Sequence, residues 1–94
     1  MDFKVVHNAE NHEYELFDGD KKIGELTYVI GDGVLDLVHT GVRDEYKGQN
    51  LGAFLVKEAL NDIRAKGQYQ IVPSCPYIPV YLRRHPEDQD LVAN

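Results

Sequence analysis

A single cysteine, Cys75, stands among 94 residues, so no disulfide can close within the chain. A reducing, cytoplasmic setting is the simplest expectation. No apolar run approaches the roughly 20 residues that cross a bilayer. The first residues, Met1-Asp2-Phe3-Lys4, lack the basic-then-apolar order of a secretory signal, and no membrane partner is expected. A cationic surplus is absent too. The net charge of −6 repels phosphate backbones and counts against nucleic acid as a partner. There is no low-complexity segment, internal repeat or linker, so residues 1–94 read as one small domain. Walker loops, GxSxG elbows and paired-cysteine motifs are missing, and His7, His12 and His85 have no metal-site spacing, so no metal is expected.

What is present is a globular composition, 43% hydrophobic and 28% charged. Phe3 to Val6 is a short apolar run that reads as an edge strand. Glu13 to Phe17 alternates, with Tyr14 and Leu16 on one face. After the turn residues Asp18-Gly19-Asp20, Lys22 to Ile30 reads as a longer strand with Leu26, Tyr28 and Ile30 on one side. Gly31-Asp32-Gly33 turns the chain into a strand from Val34 to Thr40. Short loops between consecutive strands predict an antiparallel meander. From Asn50 to Lys66, the residues Leu51, Leu55, Ala59 and Ile63 form one apolar stripe with Val56 and Leu60, which predicts a helix. Gly67 sits where its C-terminal cap belongs. Tyr69 to Val72 is then a short strand, and a strand-helix-strand run of this length is a right-handed crossover between parallel strands. From Pro76 the pattern is helical again through Val80, Tyr81, Leu82 and Arg84, with Pro79 a candidate first position and His85-Pro86 the stop. The fold class is α+β. Its mixed sheet is antiparallel in the first strands and parallel at the last pair, with a second short helix at the C-terminus.

A parallel pair joined by a helix brings both strand ends and the helix N-terminus to one edge of the sheet, where ligands of such sheets bind. His39 and Thr40, the segment Lys47 to Gly52, and Ser74-Cys75 should therefore converge. A glycine-bearing helix start suits a phosphate or pyrophosphate, because free backbone N–H groups collect there. The same pattern serves as a plain turn with Asn50 as N-cap. Cys75 reads equally as a small buried hydrophobe or as a thiol activated near a helix N-terminus. His39 shares strand parity with Leu35 and Leu37, which puts it in the core unless its ring reaches the crevice. Glu87, Asp88 and Asp90 read as a solvated acidic end, and Tyr77 and Tyr81 as packing residues unless one hydroxyl reaches the crevice. The acidic surface favours a cationic amine over an anionic partner.

With those residues in view, the chain resembles the GNAT acetyltransferase superfamily, and within it the minimal YjdJ-type N-acetyltransferases, over almost its whole length. The resemblance is carried by His39-Thr40-x-Val42, by Lys47 to Gly52, and by Pro73-x-Cys75-Pro76-Tyr77 followed by Arg83-Arg84-His85-Pro86. In that superfamily a Gln/Arg-x-x-Gly-x-Gly/Ala loop wraps the pyrophosphate of coenzyme A. Here Lys47 fills the first position, Asn50 stands where glycine is usual, and Gly52 matches the last. The resemblance implies that the parallel pair splays apart and that pantetheine pairs with the backbone around Val38, Thr40 and Val42. Lys47, Gly48, Gln49, Asn50, Leu51 and Gly52 would hold the pyrophosphate. It implies an N-acetyltransferase that moves an acetyl group from acetyl-CoA, its co-substrate, to an amine of a small molecule or a protein lysine. A matching subfamily cysteine makes Cys75 a catalytic candidate, either carrying the acetyl group or moving a proton, with His39 to orient or deprotonate it. The early helices that wall the acceptor in larger relatives are missing. That leaves an alternative, a coenzyme A or acyl-CoA binding module with little or no turnover.

Overall fold

Alternating side chains and tight turns build five strands in the computed structural model, which describes residues 2–93. They are β1 (Phe3–Asn8), β2 (Glu13–Asp18), β3 (Lys21–Ile30), β4 (Val34–Val42) and β5 (Gln70–Val72). Helix α1 (Leu51–Lys66) joins β4 to β5, helix α2 (Tyr77–Arg84) follows, and short 3-10 segments occupy Asp44–Tyr46 and Pro86–Leu91. The strands lie side by side in chain order. The first three pairings are antiparallel, and β4 runs parallel to β5 from Val34↔Gln70 to Asp36↔Val72. This is the mixed sheet and right-handed crossover that the element pattern dictates.

One face of the sheet makes the core. Tyr14, Leu16, Leu26, Tyr28, Leu35 and Leu37 meet the α1 stripe of Leu51, Leu55, Val56, Ala59, Leu60 and Ile63. Ile78, Tyr81 and Leu82 of α2 close the same cluster. Gly67 ends α1 in the left-handed conformation, its N–H donating to the Ile63 carbonyl. The opposite face carries Glu13, Glu15, Glu25, Thr27 and Val29, which alternate with the buried residues of β2 and β3. Val29 is 56% exposed, so that face stays open to solvent.

Several expectations need correction. Between Thr27 and Tyr28 the β3–β4 register shifts, so that Thr27 faces His39 while Tyr28 faces Leu37. Val38 is the extra residue of a β-bulge. A one-residue insertion reverses the side on which every later side chain falls. Thr40 thus turns inward opposite Leu26, and His39 turns outward, away from the core position its parity with Leu37 suggested. Ile30 is 45% exposed rather than buried with Leu26 and Tyr28, because it ends β3 at the rim of an open cleft. Helix α2 begins at Tyr77 rather than Pro79. Both prolines fall at its start, where backbone N–H groups have no helical partner to lose.

The acidic end is not simply solvated. Asp88 is buried, and Arg64 of α1 donates to Asp88 at 3.0 Å and to both oxygens of Asp90 at 2.7 and 2.9 Å. The two carboxylates and the guanidinium fit the fork geometry that suits arginine. The pairing holds Asp90 below the usual carboxylate range.

Candidate active site

The bulge and the short β5 together open the edge of the sheet. β5 pairs with β4 only as far as Val72, and the chain then bends through Ser74, whose N–H donates to the Val72 carbonyl. One more backbone bond, from Cys75 N–H to the Leu37 carbonyl at 2.7 Å, keeps the two segments together. Beyond it they separate, and among the described residues the β5-facing side of β4 from Val38 to Val42 has no strand beside it.

A cleft of 280 Å³ lies there. Thr40, Gly41 and Val42 of β4 form one wall, Lys47, Gly48, Asn50, Leu51 and Gly52 form the other, and Tyr46 and Tyr77 complete it. Its size is just under the roughly 300–1,000 Å³ of small-ligand sites. An extended molecule would therefore lie along the strand edge and fill the cleft with only one part of itself.

The backbone of the α1 start explains what that part should be. Gly48 (φ 88°) and Asn50 (φ 61°) both occupy the left-handed region. Asn50 makes no side-chain cap, so the expected N-cap role is not what it performs. It supplies the φ that glycine usually supplies, and asparagine reaches that region more readily than most residues. No acidic residue stands in the first turn of α1. Unpaired N–H groups at the helix start therefore keep their partial positive charge. Lys47 pairs with Asp44 at 3.0 Å on the surface, an exposed contact worth little.

Gly52 is closely approached. A Cβ there would stand 3.3 Å from the Tyr77 hydroxyl, so the tyrosine lies against the helix start. Burial raises the Tyr77 pKa, which keeps its hydroxyl protonated at neutral pH. Cys75 is 5% exposed, and its thiol donates to the Thr40 hydroxyl at 3.5 Å. Thr40 thus separates the sulfur from the cleft. His39 lies on the other face, where its Nε2 bonds the Glu25 carboxylate at 3.2 Å. It does not partner Cys75.

Of the residues singled out from sequence, Thr40, Val42, Lys47, Gly48, Asn50, Leu51 and Gly52 line the cleft, with Cys75 directly behind Thr40. Val38, His39 and Gln49 do not line it; His39 lies on the outer face beside Gly41. Gly41 and Tyr46 were missed, and Tyr77, read first as a packing residue, reaches the crevice. Tyr77 had a signal, since it opens α2 at the shared edge. Tyr46 had none, because the bond from its hydroxyl to Asp18 spans 28 positions. A larger cleft of 470 Å³ lies at the opposite end, between β3, the start of β4 and the end of α1. Several of its polar groups pair with one another: His7 Nε2 bonds the Tyr28 hydroxyl, Lys66 bonds His7 Nδ1, and Tyr14 donates to Asp62.

Comparisons with known proteins bear on the family and the fold. The family model of the GCN5-related N-acetyl-transferase matches residues 13–91. Protein NATD1 of Mus musculus is 29% identical over 90 residues, which is 94% of this chain and 81% of that protein. Protein NATD1 of Homo sapiens is also 29% identical over 90 residues, 94% of this chain and 79% of that protein. A GCN5-like protein from Staphylococcus aureus, solved by NMR, superposes with a TM-score of 0.71 at 25% identity, covering 97% of this chain and 88% of that one. A GNAT family acetyltransferase from Elizabethkingia anophelis, solved with acetyl-CoA bound, shares the fold at a TM-score of 0.58 and 18% identity, over 79% of this chain and 51% of that one. Among the described residues, no helix is long and apolar enough to cross a membrane.

Proposed function

The chain belongs to the GCN5-related N-acetyltransferase family, and on that premise we propose that coenzyme A sits in the cleft between β4 and the start of α1 while its acetyl group passes to an amine. The observation that carries this reading is the unpartnered edge of β4 meeting a left-handed, glycine-flanked helix start. The N–H groups at Gly48 to Gly52 suit a pyrophosphate. The bare strand edge suits an amide-bearing arm such as pantetheine, which can pair with it as a missing strand would. That arm would run from the helix start along the bare edge toward Thr40 and Gly41, bringing the thioester to the gap between the parted strands.

Chemistry follows from what stands there. The amine attacks the thioester carbonyl, the C–N bond forms and the C–S bond breaks. Tyr77, kept protonated by burial, is placed at the cleft to hand a proton to the departing thiolate. Direct transfer fits the geometry better than a relay through sulfur, since the Cys75 thiol is buried and committed to Thr40. In this reading Cys75 positions Thr40 against the carrier. The acceptor is an amine of a small molecule or of a protein lysine, and the acidic surface favours a cationic one.

Melting curves with and without coenzyme A test the first half. A ligand present at about 100 times its Kd should stabilise the fold by about 2.7 kcal/mol. No shift would remove coenzyme A from the cleft. Thiol release from acetyl-CoA in the presence of amines tests the second half, and binding without turnover on any amine would leave only a coenzyme-binding module. Cys75→Ser should keep turnover, whereas an acetyl group trapped on Cys75 by mass spectrometry would establish the relay.

A further inference from the structure

We propose that Glu25 positions His39 as the base for the acceptor amine, which approaches the thioester across the open face of the sheet; this rests on the transferase reading above. The bulge at Val38 turns His39 out of the core and places it on the open face at the end of β4. There its Nε2 lies 3.2 Å from Glu25 Oε2 on the neighbouring strand. A carboxylate only accepts, so Nε2 carries the hydrogen, and in the neutral ring Nδ1 keeps a free lone pair. The pair stands over Gly41, which lines the cleft. A Cβ at Gly41 would lie 2.8 Å from Glu25 Oε2 and 2.9 Å from His39 Nε2, so the pair in this pose requires glycine beneath it.

The surrounding charges single out Glu25. On the same face, Lys22 binds Glu13 at 2.7 Å and Glu15 at 3.3 Å, so both neighbouring carboxylates already have a cation. Glu15 is directly opposite Glu25, and Thr27 directly opposite His39. Arg43 pairs with Glu45 at 3.5 Å, leaving His39 as the partner of Glu25. With its side chain 58% exposed, His39 is open to an acceptor arriving from solvent.

The step balances. An alkylammonium acceptor gives one proton to His39 Nδ1, and the freed lone pair attacks the acetyl carbonyl. The C–N bond forms, the C–S bond breaks, and the expelled thiolate takes a proton from Tyr77. The nitrogen's second proton restores Tyr77, and His39 releases its own to water. Ammonium and thioester become amide, thiol and one proton. The acceptor class is therefore an amine that is ionised at neutral pH.

Two amines of similar shape test this with the intact protein: benzylamine, ionised at neutral pH, and aniline, neutral there. With benzylamine, His39→Gln should lower kcat roughly 100-fold, within the range of general-base effects, and Glu25→Gln should lower it about tenfold. The double variant should be no worse than His39→Gln alone, because the two residues act as a unit. With aniline neither change should matter, and KM for acetyl-CoA should stay level throughout. Full benzylamine activity in Glu25→Gln, additive losses, or equal losses on both amines would overturn the assignment. Nitrogen-15 NMR of the His39 ring gives a readout independent of turnover. It should show hydrogen on Nε2 in the parent protein and a mixture in Glu25→Gln; a mixture in both would also overturn it. A parent protein that acetylates neither these nor any other amine would sink the transferase reading, and the base with it. An active parent with unaffected variants would sink only the Glu25–His39 assignment.

Discussion

Asn50 is the residue on which local conformation and ligand chemistry meet most directly. Its left-handed φ of 61° is a conformation that costs ordinary L-residues about 1–2 kcal/mol and asparagine less. Asn50→Ala should therefore lower stability by about 1 kcal/mol, roughly 4–8 °C in melting temperature for a domain of this size, while Asn50→Gly should hold it level. The sequence pattern shows a helix start here, but it does not separate a side-chain cap from a left-handed turn, since asparagine suits both. His7 carries a second prediction at this scale. Burial first, and Lys66 next, hold its pKa below 6.5, while Asp62 pulls the other way. The folded state then takes a proton less readily than the unfolded chain. Stability should fall as the pH drops below 6.5 and through the lower folded value. Melting curves across that window should slope, and His7→Gln should flatten the slope.

Helix α1 and the bulge in β4 mark the extremes of what an element reveals before it folds. The apolar stripe of α1 repeats over four turns, so its span and buried face are both legible from Leu51 to Ile63. Leu55 is fully buried within it, and Leu55→Ala should cost about 2–5 kcal/mol in chemical denaturation. The bulge left no trace, because Leu35, Asp36 and Leu37 alternate normally up to the inserted residue. One extra position decides which side of the sheet receives Thr40 and which receives His39. Deleting Val38 should leave a regular strand in which His39 still faces out and Thr40 still faces in, because His39 then follows Leu37 directly and keeps Thr27 opposite. The expected result is a strand content close to the parent's by circular dichroism and weaker stabilisation by coenzyme A, since the bend that helps part β4 from β5 is lost. Unchanged coenzyme binding in that variant would show that the short β5 alone opens the edge. The contacts of Arg64 with Asp88 and Asp90 were equally hidden, since 24 and 26 positions separate partners that no local pattern connects.

For the molecule as a whole, topology carried the inference furthest. A right-handed crossover obliges the ends of β4 and β5 and the start of α1 to share an edge. Cys75 duly arrives behind Thr40 although 35 positions separate them. The same architecture leaves a border to defend. β5 is three residues long and outermost in the sheet, so its far side would offer bare peptide groups. The chain's last described residues run alongside it: Ile71 bridges to Val92, and Ala93 N–H donates to the Ile71 carbonyl at 2.9 Å. This hem keeps a neighbouring molecule from stitching itself onto the sheet. A chain cut after Leu91 should scatter light earlier on heating than the parent, as copies zip together along the exposed seam.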